Sequence, residues 1–459
     1  MKILVIGLDC AAPELLFGDE QLTNFRRLMF SGCYGRLESV IPPITVPAWM
    51  CLSTGQDPGS LGVYGFRNRQ DYSYANLSFV TSRSIQTTAL WDVVAAAGRT
   101  AHIIGVPPSY PPRRTSGICV GCFLTPDPQR NEYTYPERVK EEIASIVKEY
   151  PVDVKDFRTD KKSWLLEQIY AMSRKHFKVI RYFLKQSRWD YFQFVEIGLD
   201  RIHHGFWQFH DPLHRHFVAG NPYQQAIRDY YRYLDREVGS LLKLLDEETT
   251  VLVVSDHGAQ RLDGGFCVNE WLIREGLLVL LEYPREVTPF QKLAVDWERT
   301  IAWSEGGYYA RIFLNVKGRE PSGRIDPSDY HKVRDDLKTR LEATVDDNGG
   351  PLGTLVFKPE EVYKSVRNVA PDLITHFGGL FWRSIGSVGY AGVHVQENDT
   401  GPDACNHAQF GAFILSSPAS RLRGEIQDAH LLNIAPALCK LGGYDTPDSM
   451  AATPLPGMS

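Results

Sequence analysis

No apolar run in this 459-residue chain approaches the about 18 residues of a membrane span; the best, Leu277 to Leu281, is far shorter. That argues against a membrane-embedded body. Met1 to Asp9 offers too short an apolar stretch for a secretory leader, whose hydrophobic region runs to about 7–15 residues. Cysteine is sparse and scattered, with eight residues at 10, 33, 51, 119, 122, 267, 405 and 439. This is not the dense spacing of a disulfide framework, and the three features together predict a soluble cytoplasmic protein. Cys119 and Cys122 form a CxxC without a second pair, so they read as ordinary thiols rather than a zinc or redox site. An excess of positive charge is missing too. Fifty Lys and Arg stand against 55 Asp and Glu, a net of −5, which removes the electrostatic case for a dedicated nucleic-acid or acidic-membrane binder.

With 43% hydrophobic and 23% charged residues, the composition is that of a globular protein. Short β-branched runs alternate with helical patterns, predicting an α/β fold with a mostly parallel central sheet flanked by helices. The expected strands are Lys2–Leu8, Ala101–Val106, Tyr191–Leu199, Thr250–Ser255, Asp372–Phe377 and Gly411–Ser416. Helices are expected over Trp91–Ala97, stopped by Gly98, in the periodic stretch from Tyr135 to Arg188, over Tyr230–Leu245 and over Leu431–Leu441. Between Leu281 and Glu360 the composition shifts toward charge and turn residues. The expected organisation is therefore one discontinuous catalytic core, 1–280 and 361–445, an inserted cap at 281–360, and a tail at 446–459.

Parallel strands present their C-terminal loops on one edge, where ligands of open α/β sheets bind. Three expected strands deliver an aspartate there: Asp9, Asp200 and Asp256. Three carboxylates gathered at one edge repel, so a cation is required among them. His257 adjoins Asp256 and His204 lies four residues beyond Asp200, which favours a metal over an arginine; mixed Asp and His donors suit Zn²⁺, with Mn²⁺ as competitor. Thr45, within Pro42-Pro43-Ile44-Thr45-Val46-Pro47, is the candidate nucleophile. Prolines flank a single hydroxyl where a helix begins, and a helix N-terminus favours anions.

These residues carry a resemblance. Gly7-Leu8-Asp9, the Thr45 segment through Trp49, Thr54-Gly55 with Pro58, Asp200-Arg201-Ile202-His203-His204, Ser255-Asp256-His257-Gly258 and Asn406-His407 with Gly411 occur in that order. The chain resembles the alkaline phosphatase superfamily, in the branch of type I phosphodiesterases/nucleotide pyrophosphatases and predicted phosphohydrolases or phosphomutases. The resemblance implies two divalent metal ions, usually zinc. Asp200, His204 and His407 would hold the ion that orients phosphate and activates water. Asp9, Asp256 and His257 would hold the other, with Thr45 as its hydroxyl ligand and nucleophile. A covalent phosphothreonine and net retention at phosphorus would follow. Two dications would also import the positive charge that the Lys and Arg count does not show.

The chain departs from that pattern at two places. Leu61-Gly62 replaces a frequent His-Gly pair, and Phe66 falls where nucleotide pyrophosphatases place an asparagine on a phosphoryl oxygen. Arg67 and Asn68 are the candidates to replace it, and Phe66 and Trp207 are candidate rings against the substrate, alongside Trp49, Tyr64 and Phe206. The absence of a sulfatase signature at the nucleophile argues against sulfate esters. The expected function is a phosphodiesterase or nucleotide pyrophosphatase acting on a small soluble phosphoester. The alternatives are a phosphomonoesterase, a phosphomutase or phosphotransferase, and a metal-binding protein without catalysis.

Overall fold

The computed structural model describes residues 2–390, 392–450 and 452–458. The chain divides into two compact units, one of Met1–Leu61, Val80–Ala259 and His407–Ser459, the other of Gly62–Phe79 and Gln260–Asn406.

In the first unit, aliphatic runs buried on both faces form the central strands, as a sheet covered by helices on both sides demands. The strands of the sheet are β1 (Ile3–Leu8), β2 (Cys33–Glu38), β3 (Ala101–Ile104), β4 (Cys119–Val120), β5 (Thr134–Tyr135), β6 (Tyr191–Glu196), β7 (Thr250–Val254), β8 (Phe410–Ser416) and β9 (Gly424–Glu425), of which β1, β6 and β7 are buried along their whole length and the edge strand β9 is exposed. Their order across the sheet is β9-β2-β8-β7-β1-β6-β3-β4-β5. β1 lies parallel to β6 and β7, with Gly7 opposite both Val195 and Val254. β8 runs antiparallel between β2 and β7. The sheet is thus mostly parallel.

Helices fall into two packed groups. One contains α1 (Thr23–Ser31), α5 (Lys162–Gln186), α6 (Gly198–His210) and α7 (Ala226–Leu242); the other contains α2 (Thr45–Thr54), α3 (Leu90–Ala96) and α8 (Ile434–Gly442). A further helix, α4 (Val139–Val147), packs on α5. Gly98, just past α3, sits at φ 70, the left-handed conformation that ends a helix at little steric cost to glycine. Among the described residues no helix is long and apolar enough to cross a membrane.

The second unit holds an antiparallel sheet in the order Ala302–Glu305, Ala310–Leu314, Leu373–His376, Leu355–Phe357. Its core gathers Trp303, Ile312, Leu314, Leu337, Leu373 and Phe377. One expectation is corrected here. Leu373–His376 is not a returning strand of the parallel sheet, because it pairs antiparallel with Ala310–Leu314 and Leu355–Phe357. The second unit takes in the charge-rich 281–360 stretch together with apolar segments that share its core.

Candidate metal centre

β1 ends at Leu8, and Asp9 follows at once. Cys10 then takes a left-handed conformation (φ 66), and the turn sends its amide to Asp256 Oδ1 at 3.1 Å and the Ala11 amide to Ser255 Oγ at 2.8 Å. The ends of β1 and β7 are stitched together there. Gly258 is required because a Cβ would lie 2.1 Å from the Phe410 carbonyl oxygen, and a Cβ on Gly411 would press within 3.1 Å of the His257 backbone.

Asp200 is reached differently from the expectation. β6 stops at Glu196 rather than continuing to Leu199, and α6 begins at Gly198, so Asp200 lies in the first turn of a helix. Glu196 closes the strand by accepting from the Gly198 amide (2.9 Å) and Ser173 Oγ (2.6 Å). His176 places one ring nitrogen 3.2 Å from Glu196 Oε2 and the other 2.6 Å from the Pro151 carbonyl, and these acceptors raise its pKa against the opposing effect of burial. Four residues on, His204 shares a helix face with Asp200, its Nε2 being 3.2 Å from Asp200 Oδ1. Neighbouring His203 instead packs its ring against Trp207 and Tyr231.

Two clusters result, each with ligand atoms within 4.8 Å of one another: Asp200, His204 and His407, and Asp9, Asp256 and His257. All six residues are buried. His407 Nε2 lies 3.8 Å from Asp200 Oδ1, and its ring stacks on His257 at 3.9 Å between centroids. Thr45 opens α2 and places Oγ1 3.2 Å from His257 Nε2; His257 Nε2 is also 3.1 Å from Asp256 Oδ2.

The donor set fits divalent cations. Asp9 Oδ1, Asp200 Oδ1 and Asp256 Oδ2 are buried without a hydrogen-bond partner among the described residues, a costly arrangement unless a cation completes it. The Nδ1 atoms of His257 and His407 sit 3.1 Å and 3.0 Å from the carbonyl oxygens of Gly258 and Pro43. A carbonyl only accepts, so each Nδ1 carries the proton and each Nε2 presents its lone pair to the cluster.

Electrostatics agree. Burial, then the charge of Asp200, pushes the Asp9 carboxyl well up; burial and Asp9 do the same to Asp256. Asp200 is also raised by burial, but His204 and Arg201 outweigh that and hold it well below the usual carboxylate range. Burial pushes His257 down to about 4 and, with His257 and His204 beside it, lowers His407 strongly. Neutral imidazoles and crowded carboxylates are what a metal-free cation site presents.

Phe66, Arg67 and Asn68 belong to the second unit. There Asn68 spends both polar groups on its own turn, accepting from the Tyr64 amide (2.7 Å) and donating to the Gly65 carbonyl (2.9 Å). Arg67 lies 3.8 Å from Glu305. Trp207 is buried and donates to Asp211 at 3.1 Å, and Trp49, Tyr64 and Phe206 are core residues. A feature the sequence did not signal lies in the first unit, a cavity of about 580 Å³ lined by Phe123, Tyr150, Asp153, Phe157, Trp164 and Lys175. The Phe157 ring sits 6.2 Å from that of His204, so the cavity shares a wall with the Asp200 cluster.

Among solved structures, the chain is similar to murine ectonucleotide pyrophosphatase/phosphodiesterase 5, with 15% identity, TM-score 0.54 and coverage of 97% of this chain and 96% of that one. The human ectonucleotide pyrophosphatase/phosphodiesterase 5 gives 15% identity, TM-score 0.54 and the same coverage. Phosphonoacetate hydrolase from Sinorhizobium meliloti 1021, in complex with phosphonoformate, gives 14% identity and TM-score 0.64, covering 96% of each chain. At such identities the likeness is one of fold. No curated protein sequence matches. Type I phosphodiesterase/nucleotide pyrophosphatase is the family whose signature matches, over residues 3–403. The chain therefore belongs to the type I phosphodiesterase/nucleotide pyrophosphatase family and is a metal-dependent phosphoester hydrolase.

Proposed function

We propose that the protein hydrolyses a small phosphodiester with two divalent ions, Zn²⁺ being the best match to the Asp and His donors. Asp200, His204 and His407 would hold one ion, and Asp9, Asp256, His257 and the Thr45 hydroxyl the other. Bound there, the ions would supply Lewis-acid charge for the phosphoryl, attacking and leaving oxygens. The observation that carries the reading is the position of Thr45, a buried hydroxyl at a helix N-terminus, 3.2 Å from His257 Nε2 and at the rim of the second cluster.

Thr45 Oγ1 attacks phosphorus in line, the ester P–O bond breaks, the proton lost from Oγ1 is taken up by the departing alcohol oxygen, and a phosphothreonine forms. A water oxygen then attacks phosphorus, the bond to Oγ1 breaks, and a proton from that water regenerates the Thr45 hydroxyl. Two in-line displacements give net retention. The positive N-terminal end of α2, where Thr45 sits, favours electrostatically the anion that gathers there. In support, the murine neighbour is also known as an inactive threonine-to-alanine variant in complex with AMP.

The cavity beside the Asp200 cluster has room for an ester substituent of the substrate. Eight buried cysteines, none of them in a disulfide among the described residues, support a reducing, cytoplasmic setting. The test is a rate panel on protein reconstituted with Zn²⁺ or Mn²⁺: an aryl phosphomonoester, a bis-aryl phosphodiester, an aryl phosphonate ester and a nucleotide, each with and without an alcohol acceptor. The diester should exceed the monoester by at least about tenfold, equivalent to about 1.4 kcal/mol of barrier. A monoester preference, or transfer to the acceptor in place of hydrolysis, would overturn the assignment.

A further inference from the structure

Arg201 follows Asp200 directly, and its side chain is 9% exposed. The guanidinium is held on three sides. Its Nε and Nη2 donate to Asp153 Oδ1 (2.7 Å) and Oδ2 (2.8 Å), its Nη1 donates to Asp200 Oδ2, and its plane lies over the Phe157 ring at 4.2 Å. A planar fork with one carboxylate gripped bidentately has little freedom left, so its third nitrogen is fixed in space. Asp200 is fixed with it. One carboxylate oxygen is taken by Arg201, and the other, Oδ1, is turned toward His204 Nε2 at 3.2 Å and His407 Nε2 at 3.8 Å with no hydrogen bond of its own.

We infer that Arg201 is a positioning residue that makes Asp200 present a single oxygen to the Asp200–His204–His407 site, and that Asp153 is the anchor that aims it. The inference rests on the two-ion reading above. Asp153 and Phe157 also line the 580 Å³ cavity, so one ion-pair chain sets both the cavity wall and the ligand behind it.

Two physical effects oppose each other here, and the sign of a measurement separates them. A guanidinium beside a cation site repels the cation, so deleting a mere charge tightens ion binding. A group that orients a ligand does the reverse when deleted, typically weakening binding about 10–100-fold.

The test titrates the metal-free wild type, Arg201→Met, Arg201→Lys and Asp153→Asn with Zn²⁺ by calorimetry, and with Co²⁺ by its visible absorption, which reports the geometry of each site. Wild type is expected to take two ions. In all three variants one of the two affinities should fall about 10–100-fold and one Co²⁺ band should shift, while the other site stays unchanged. Arg201→Lys should behave like Arg201→Met because it keeps the charge and loses the fork. Asp153→Asn keeps Asp200 and Arg201 in place and guards against a folding defect at the buried arginine. Tighter or unchanged binding overturns the inference, as does equal weakening at both sites. A wild type that takes up fewer than two ions overturns the two-ion reading itself, and so is told apart from failure of the clamp alone.

Discussion

Trp49 Nε1 donates to Asp9 Oδ2 at 2.8 Å, four residues beyond Thr45 on the same helix. The bond ties α2 to the end of β1 and leaves Oδ1 of Asp9 without a hydrogen-bond partner among the described residues. Gly7 makes room for it, since a Cβ there would lie 2.6 Å from Trp49 Cη2. A tryptophan that the sequence offers as a candidate substrate ring is therefore a support for a carboxylate.

Trp49→Phe keeps most of the packing and deletes this one bond, which is charge-assisted in the metal-loaded protein, where a cation would hold Asp9 ionised. Expected is a stability loss of about 1.5–3 kcal/mol in urea unfolding. Ion affinity at the Asp9 site should weaken about tenfold or more. Wild-type values for both would show the bond to be incidental.

Thr45→Ala removes a hydroxyl but none of the six charged or imidazole donors. Metal analysis should still find about two ions per chain while turnover disappears, and acid-quenched wild type should carry phosphate on the Thr45 peptide. Retained turnover in the alanine variant ends the nucleophile assignment.

Asp256→Asn and His257→Ala strike the second cluster itself. Each should lose bound metal and activity together, because the remaining donors leave one ion under-coordinated. Full metal occupancy in both variants contradicts the site.

Asp9 and Asp256 were legible in the sequence because each closes a hydrophobic strand at the ligand-binding edge, and His257 because it adjoins one of them. His407 was not. It stands 150 residues after His257 in a segment with no strand-end aspartate, and only the order of motifs pointed to it. Asp200 does not close a strand as the sequence suggests, since the chain turns at Ile197 into a helix whose i, i+4 spacing pairs it with His204. Asp153–Arg201 and Trp49–Asp9 stayed hidden because such partners lie 48 and 40 residues apart, with no local pattern linking them. Leu373–His376 belongs with the second unit's sheet through its antiparallel pairing with Ala310–Leu314, which composition does not encode.

A pH prediction follows from His102 in β3. Its Nδ1 accepts the Ile118 amide at 3.2 Å, which requires a neutral ring, and burial lowers its pKa from the ordinary 6.5 to about 4. Below pH 6.5 the unfolded chain takes up a proton that the folded chain refuses until about pH 4. The unfolded state binds more protons throughout that window, so stability falls as pH is lowered across it, by up to about 1.4 kcal/mol per pH unit for this one group. Above the window both states are neutral, and His102 adds no pH dependence. His102→Asn keeps an acceptor at the same side-chain position and removes the titration. Urea unfolding with chelator present, across pH 4 to 6.5, should then give a slope shallower by about one proton than wild type. The variant's absolute stability will be lower through lost ring packing, and that offset is shared by every pH, so only the slope tests the assignment. An unchanged slope means that His102 is charged in the folded protein and that the Ile118 amide bonds elsewhere.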